Sequence, residues 1–334
     1  MAPVYEGQDG PRLSRFLLTR GICLVALELT VLSFGWSFAF PYPLFLQVIW
    51  AIGWSMIALA GLVWLPRLAV LAIGLAIVFG HNLLDPVTSQ QLGNLGLLWK
   101  LLHEGGPIIA NGTPIGIASY PVFPWIGVMA AGYGLGALFE QTPARRDRAL
   151  WLLGLAMLAA FLLLRGFNLY GNPAPALEAG VGPFGPGRPW QEQDTPGAVV
   201  MAFLDVQKYP PSLMFVLVTL GVVFVLWPLL ARIRGPVAQA LGIFGAVPFF
   251  FYVLHVYLVH LLAIAANAAM GRDVTGLFNY LVNTFAAPEL LEPLGFSLPI
   301  VYLAWLIVLV LLYPLCRRWA ELKSRRRDWW LSYL

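Results

Sequence analysis

Long apolar runs separated by short polar segments predict eight membrane-spanning helices. A hydrocarbon core about 30 Å thick requires roughly 20 helical residues to cross it. Eight runs approach or exceed this length, and the runs near 68–84 and 149–166 are the shortest. They lie near 16–38, 43–64, 68–84, 120–140, 149–166, 211–231, 238–266 and 298–317. The pattern predicts an all-α protein, a polytopic transmembrane helical bundle.

The composition agrees with an integral membrane protein. Of the 334 residues, 60% are hydrophobic and 11% are charged, and the mean hydropathy is +0.78. That is more apolar surface than one soluble core buries. The net charge of +4 would suggest a nucleic-acid partner if the basic residues formed one patch on a water-exposed surface. They lie instead in short clusters between apolar runs. Cys23 and Cys316 fall in or beside apolar runs, so neither a nucleic-acid partner nor a disulfide framework is predicted.

The distribution of Lys and Arg predicts the orientation, because these residues are retained on the cytoplasmic side of short loops. With the N-terminus inside, all but five of the 20 Lys and Arg residues fall on the inner side. The five outer ones are Lys100, Arg165, Arg188, Lys208 and Arg272. Both termini are therefore predicted to be cytoplasmic, in a protein of the cell (inner) membrane.

The chain is expected to form a single transmembrane domain over residues 1–334. Residues 1–15 are predicted to be a cytoplasmic N-terminus and residues 318–334 a basic cytoplasmic tail. Residues 171–197 hold six prolines and six glycines, so this outer loop is not expected to have regular structure. The first apolar run contains Glu28 and is too long for a cleavable signal peptide, so it is predicted to stay in the mature protein.

Ionisable groups at membrane depth give the functional signal, because charge there is costly and usually faces a cavity or a partner. His81 and Asp85 in "GHNLLD" are four residues apart, so both can project from one helix face near the outer end of the third span. A carboxylate that orients an imidazole is what general-base catalysis needs. Because Pro86 disfavours helical geometry at Asp85, helix termination with a splayed pair is the alternative.

The segment "LGLLWKLLHEGG" predicts a short helix on the outer membrane surface. Its apolar stripe at helical spacing consists of Leu97, Leu98, Leu101 and Leu102. Lys100, His103 and Glu104 lie off this stripe. His103 is either an ordinary interfacial histidine or a residue that approaches the outer mouth near His81.

The stretch "FFFYVLHVYLVH" contains His255 and His260, whose five-residue separation turns them about 140° apart on a helix. They do not share a face, so a shared metal site is not predicted. Tyr252 and Tyr257 each precede one of these histidines by three residues. An interhelical hydrogen bond is one interpretation of each histidine, and chemistry within the bundle, chiefly at His255, is the other.

Glu28 lies near the middle of the first span. Arg20 is eight residues earlier, roughly 12 Å along the helix axis, so the two side chains are not expected to pair. Glu28 either forms a structural hydrogen bond within the bundle or takes part in a site. Common catalytic signatures such as Gly-x-Ser-x-Gly and His-Glu-x-x-His do not occur in the sequence. The residues alone therefore name no reaction.

Several sequence blocks resemble a family of bacterial membrane proteins. They include "RFLLTRG", "LELTVLSFGW", "GHNLLD", "YPVFPWIGVMAAGYGLG", "KYPPSL" and "VPFFFYVLHVYLVHLLA", and the resemblance runs from about Arg12 to Leu334. This family is grouped with the catalytic domain of heparan-alpha-glucosaminide N-acetyltransferase. Its members normally have two further helices before the first of these blocks, with a histidine often taken as catalytic.

The resemblance implies transmembrane acyl transfer. An acyl group, typically acetyl from cytoplasmic acetyl-CoA, would pass to an amine or hydroxyl of a sugar or envelope glycan on the other side. A histidine would be the acyl carrier or general base, and no metal is expected. A transporter or flippase-like carrier and a non-catalytic membrane protein are the alternative functions.

These arguments give two sets of candidate site residues. The candidate catalytic residues are His81, Asp85, His255 and Glu28. The candidate substrate-binding residues are Arg20, His103, Tyr120, Trp125, Arg165, Lys208, Tyr252 and His260. His81 with Asp85 is the first choice for the base and its orienting group, and Glu28 is a buried support. Arg20 and Arg165, at opposite ends of the membrane, are assigned to donor and acceptor contacts.

Overall fold

The computed structural model describes residues 10–171 and 189–326, together with residues 328 and 331. Within these residues the chain is mostly helical and has one small sheet, which confirms the predicted helical class. Residues 1–9, Arg188 with most of the predicted outer loop, and much of the end of the basic tail lie outside the described residues.

Thirteen α-helices occur in the described part of the chain. They are α1 Gly10–Leu27, α2 Ser33–Ser37, α3 Val48–Leu62, α4 Arg67–Gly80, α5 Gly96–Trp99, α6 Val122–Leu135, α7 Pro143–Gly166, α8 Pro196–Leu204, α9 Leu213–Leu230, α10 Pro236–Ala246, α11 Pro248–Ala269, α12 Tyr280–Ala286 and α13 Leu298–Arg325. The strands are β1 Leu44–Leu46, β2 Gly106–Ala110 and β3 Thr113–Ala118. Two π-helical segments, Glu28–Leu32 and Lys100–Glu104, each contain a candidate site residue.

Seven helical segments of the described chain are long and apolar enough to cross a membrane, so the chain is a multi-pass membrane protein. They are Gly10–Ser37, Arg67–Leu84, Val122–Glu140, Pro143–Gly166, Leu213–Leu230, Pro248–Ala269 and Leu298–Arg325.

Two of the eight predicted spans have a different structure. The span at 43–64 is a short strand followed by α3, a helix of only 15 residues. The span at 238–266 is divided at Val247 into α10 and α11. Pro248 explains the division, because proline has no N–H to donate and disfavours helical geometry at the residue before it.

The contacts divide the chain into two compact units. The first unit comprises residues 1–24, 47–106 and 118–232. In it, α4 and α3 pack against α6, and α7 packs against α9. Arg67 at the start of α4 forms an ion pair of 2.7 Å with Glu140, just beyond the end of α6. The helices α4 and α6 are therefore antiparallel.

Glycines allow these helices to approach closely. A Cβ built on Gly74 of α4 would lie 2.3 Å from the backbone nitrogen of Ala131 on α6. A Cβ on Gly154 of α7 would lie 2.8 Å from the backbone oxygen of Gly221 on α9. Lipid tails are as apolar as leucine, so membrane helices associate through close packing of small residues rather than through a hydrophobic driving force. These glycines thus set the spacing of the helices that hold the candidate site.

Replacing Gly74 by alanine is expected to destabilise the protein by about 1–3 kcal/mol, because the added methyl group must push two helix backbones apart. Gly132→Ala on α6 is the matched control, since a Cβ there meets nothing within 4 Å. Thermal unfolding of the detergent-solubilised protein compares the two variants. Only Gly74→Ala should melt at a lower temperature, and equal melting temperatures would contradict the close α4–α6 packing.

The second unit comprises residues 25–46, 107–117 and 233–334. Here α10 and α11 pack against α13. Their shared core consists of Val247, Val308, Leu312 and Cys316. The sheet has the strand order β1-β3-β2. Asn111 and Gly112 join β2 to β3 with φ values of 50° and 78°, and two residues of positive φ are what a type I′ hairpin turn requires.

Candidate functional site

The end of α4 places His81 in the protein interior. The helix ends at Gly80, and a 3₁₀ turn, His81–Leu84, continues to Asp85. His81 is 1% exposed. Neither of its ring nitrogens has a hydrogen-bond partner within the described residues. The direct hydrogen bond from His81 to Asp85 that the four-residue spacing suggested is therefore not formed, and the alternative of a splayed pair applies.

Asp85 is paired with His103 instead. Nε2 of His103 donates to Oδ1 of Asp85 at 3.1 Å, and Nδ2 of Asn82 donates to Oδ2 at 2.9 Å. His103 is only 2% exposed, so of the two interpretations of this residue the structure favours the one near His81. Nδ1 of His103 has no partner in the described part of the chain. A buried imidazole with a carboxylate on one nitrogen has the geometry of an oriented base.

Local contacts fix the helix that contains His103. The backbone N–H and the hydroxyl of Ser89 both donate to the carboxylate of Glu104. The indole N–H of Trp99 donates to the backbone oxygen of Val87 at 2.7 Å, and its ring centroid is 5.1 Å from that of His103. These contacts join the loop after Asp85 to the predicted surface helix, whose π-helical last turn brings His103 inward. Segments of π-helix are frequent at functional sites.

Asn82 is a site residue that the sequence interpretation missed. Its buried side chain donates to Asp85 and accepts a hydrogen bond of 2.9 Å from the backbone nitrogen of Leu213, the first residue of α9. Asn82 therefore connects the end of α4 to the start of α9 and fixes the Asp85 carboxylate. The available signal was its position three residues before Asp85, since such a separation brings two side chains together on a helical turn.

A second polar group in the first unit contains Tyr120, Trp125, Lys208 and Tyr209. The rings of Tyr120 and Trp125 stack with centroids 5.7 Å apart. Nζ of Lys208 lies 5.6 Å from the ring centroid of Tyr120 and 5.1 Å from that of Tyr209. Burial raises the pKa of Tyr120, which keeps its hydroxyl neutral. Burial alone would lower the pKa of Lys208, but hydrogen bonds with both tyrosine hydroxyls outweigh it and the pKa is raised.

These two groups lie at the same end of the first unit. The helix α4 ends just before His81, and the antiparallel α6 begins just after Tyr120. The helix α9, which follows Lys208 in the chain, begins at the residue that is hydrogen bonded to Asn82. We name this end, with His81, His103 and Lys208, the histidine end. Arg67 and Glu140 mark the opposite end.

Arg165 and Arg20 have different environments. Arg165 is 7% exposed and lies at the end of α7, on the histidine end. Its guanidinium donates to three backbone oxygens at the end of α8, those of Ala202, Phe203 and Asp205. Arg20 is on α1, with its guanidinium carbon 5.8 Å from the centroid of the Phe16 ring. The contacts of Arg165 hold α8 in place beside α7.

Glu28, Tyr252 and His255 belong to the second unit. Glu28 is fully buried at the first position of its π-helical segment. Nδ1 of His255 lies 2.5 Å from the backbone oxygen of Tyr252. The imidazole of His255 stacks on Phe251 with ring centroids 5.3 Å apart. Both of these contacts are within the helix that contains His255.

His260, also in the second unit, contacts backbone oxygens through both ring nitrogens. Nδ1 lies 3.0 Å from the oxygen of Gly35, and Nε2 lies 2.9 Å from the oxygen of Leu277. The imidazole stacks on Phe38 with ring centroids 4.3 Å apart. The hydrogen-bond partners of His255 and His260 are different.

The comparisons with known proteins concern the first half of the chain. Residues 7–169 match the family model for the catalytic domain of heparan-alpha-glucosaminide N-acetyltransferase. No curated protein and no solved structure matches the chain. The matched region includes His81, Asp85 and His103, and it ends before Lys208. Over these residues the chain is similar to the catalytic domain of heparan-alpha-glucosaminide N-acetyltransferase, and this match supports a relation to a membrane acetyltransferase-like family.

Proposed function

We propose that the chain transfers an acetyl group from acetyl-CoA to an amine or hydroxyl group of a sugar or envelope glycan. His103 is the general base in this proposal, and Asp85 orients it. The supporting observation is the partly buried hydrogen bond of 3.1 Å between Nε2 of His103 and Asp85. The family relation over residues 7–169 supports the reaction type.

The reaction requires removal of one proton from the acceptor. The nitrogen or oxygen of the acceptor attacks the carbonyl carbon of the thioester and forms a new bond to it. The carbon–sulfur bond then breaks, and CoA leaves as a thiolate. The base takes the proton of the acceptor and returns it to the thiolate. With Nε2 of His103 donating to Asp85, Nδ1 has the lone pair that accepts this proton, and the carboxylate stabilises the imidazolium. His81, whose ring centroid is 5.8 Å from that of His103, would contact the same substrate.

The second polar group suits an acceptor sugar. Tyr120 and Trp125 offer stacked aromatic rings, Tyr120 keeps a neutral hydroxyl that can donate a hydrogen bond, and Lys208 supplies a cation. Apolar rings with a few placed polar groups are typical of sites for small ligands. We therefore assign acceptor binding to Tyr120, Trp125 and Lys208.

The charges of the first unit support an outward-facing histidine end. The opposite end contains Arg67 at the start of α4 and Arg145, Arg146 and Arg148 in the first turns of α7. Basic residues are retained on the cytoplasmic side. In the proposed direction, acetyl-CoA approaches from the cytoplasm with Arg20 as a donor contact. Its pantetheine arm then passes between the helices to the acceptor at the histidine end.

Purified full-length protein in liposomes tests this function directly. With acetyl-CoA labelled in the acetyl group and glucosamine as acceptor, we expect acetylated glucosamine and free CoA in equal amounts. His103→Ala should lower the formation of both products by about 10²- to 10⁴-fold. Label that stays covalently on the protein before the acceptor is added, and that is absent from His103→Ala, would identify His103 as an acyl carrier.

The same liposomes distinguish the alternative functions. Passage of labelled glucosamine across the membrane without acetylation would support a carrier. If folded protein releases no CoA with glucosamine or with envelope glycan as acceptor, the proposal of acetyl transfer is wrong.

A further inference from the structure

His81, Asp85 and His103 form a cluster of metal-ligating groups within the first unit. One ligand atom from each residue lies within 4.8 Å of the others. The two histidines are 1% and 2% exposed, and the Asp85 side chain is 20% exposed. No other group of three or more His, Cys, Asp or Glu residues in the described chain has this proximity. The cluster is thus a compact, largely buried set of two imidazoles and one carboxylate.

The unpaired nitrogens of the two histidines point to a ligand that is not protein. Both ring nitrogens of His81 and Nδ1 of His103 are buried and have no hydrogen-bond partner within the described residues. Leaving such a buried polar group unsatisfied is destabilising, and specific cases in native proteins often mark an ion or a water. A bound cation would use a lone pair of the His81 imidazole, for which the described residues offer no partner.

The ligand types select the kind of cation. Imidazole nitrogen with one carboxylate suits zinc and neighbouring transition metals, whereas calcium and magnesium prefer sites built from oxygen. The negative charge of Asp85 offsets half of the charge of a divalent cation. Metal–ligand distances of about 2.0–2.2 Å place tetrahedral ligand atoms roughly 3.4 Å apart. Nε2 of His103 lies 3.1 Å from Oδ1 of Asp85, and binding a cation through these atoms requires Nε2 to give up the proton that it donates to Asp85, with Nδ1 protonated instead. The ligand atoms of all three residues lie within 4.8 Å of one another, so a small approach of the side chains closes the site.

The groups around the cluster also match a metal site. Asn82 donates to the Asp85 oxygen that His103 does not use, and Trp99 packs against the His103 ring. Hydrogen bonds to ligating carboxylates orient them and are a regular part of metal centres. Asn82 is itself fixed by the backbone of Leu213. The carboxylate is therefore oriented before any ion arrives.

We propose that His81, Asp85 and His103 bind one divalent cation of the zinc class, with three protein ligands and an open fourth position. The site does not depend on acetyl transfer, because binding requires no substrate. The two proposals do use the same atoms, since a bound cation occupies Asp85 and a His103 nitrogen. Filling the site is therefore expected to inhibit a reaction in which His103 is the base.

Cobalt(II) is the probe, because a tetrahedral cobalt site has visible absorption that reports coordination. The full-length protein is purified with a histidine-free affinity tag, stripped with a chelator and titrated with cobalt, which zinc then displaces. We expect one saturable site per chain. His81→Phe fills the volume of the imidazole without ligand nitrogens, and it should weaken cobalt binding about tenfold or more, as should Asp85→Asn.

Two matched controls test whether the signal is specific to the cluster. His255→Phe makes the same change as His81→Phe, but at a histidine on α11. Asp273→Asn makes the same change as Asp85→Asn, but at an exposed aspartate. Both control variants should bind cobalt like the unchanged protein. Zinc should also raise the melting temperature of the unchanged protein but not that of His81→Phe. Absence of saturable binding to folded protein, or equal binding by His81→Phe, would overturn the proposal. If the metal-free, unchanged protein binds cobalt at one saturable site but transfers no acetyl group, only the proposal that His103 acts as a base is contradicted.

Discussion

Asp85→Asn should lower the rate of acetyl transfer by about 10²- to 10⁴-fold, the range that a positioned general base contributes. Asparagine keeps the size of the side chain but removes the negative charge that stabilises a protonated His103. Its amide can also present a donor to Nε2, which would favour the wrong imidazole tautomer. The turnover number should fall while the KM for the acceptor changes little, because the acceptor is assigned to Tyr120, Trp125 and Lys208.

A double-mutant cycle makes this prediction sharper. If Asp85 acts through His103, the double variant Asp85→Asn with His103→Ala should be no slower than His103→Ala alone, since residues that act as a unit are not additive. Asp273→Asn is the matched control for the loss of one carboxylate, and it should retain full activity. Independent, multiplicative losses from the two site changes would show that Asp85 does not work through His103.

The helical class was predictable from the sequence because it depends on the length of apolar runs. Seven segments of the described chain meet the length and hydropathy of a membrane span. The errors lie where local chemistry changed the outcome. Pro248 divides a predicted continuous helix, and residues 44–46 form a strand before α3. The hairpin of β2 and β3 had a local signal, because Asn111–Gly112 between two apolar segments is typical of a type I′ turn.

The candidate site was predictable only in part because its pairing depends on tertiary contacts. The spacing of His81 and Asp85 drew attention to the correct turn. It could not show that the Asp85 carboxylate bonds to His103, which is distant in sequence. That contact depends on the π-helical turn of Lys100–Glu104 and on the bonds from Ser89 to Glu104. A histidine off the apolar stripe of a surface helix is ordinarily exposed, whereas His103 is buried.

Replacing Asn82 is expected to have the second largest effect on activity. Asn82→Ala removes the donor to Asp85 and the acceptor for the backbone N–H of Leu213, and each group left unpaired costs about 1–3 kcal/mol. We therefore expect a lower melting temperature and a rate of acetyl transfer reduced by about 10- to 100-fold, as is typical when an outer hydrogen-bond partner is lost. Activity and thermal unfolding are measured on the same purified sample.

Asn82→Asp separates the positioning role of this residue from its structural role. The new carboxylate can still accept from Leu213, so the connection between α4 and α9 is retained, but it cannot donate to Asp85 and repels it. This variant should melt closer to the unchanged protein than Asn82→Ala does, while its turnover number falls at least as far and its KM for acetyl-CoA stays similar. Full activity in Asn82→Asp would mean that the Asp85 carboxylate needs no support from Asn82. The orientation of His103 would then depend on the Ser89–Glu104 and Trp99 contacts alone.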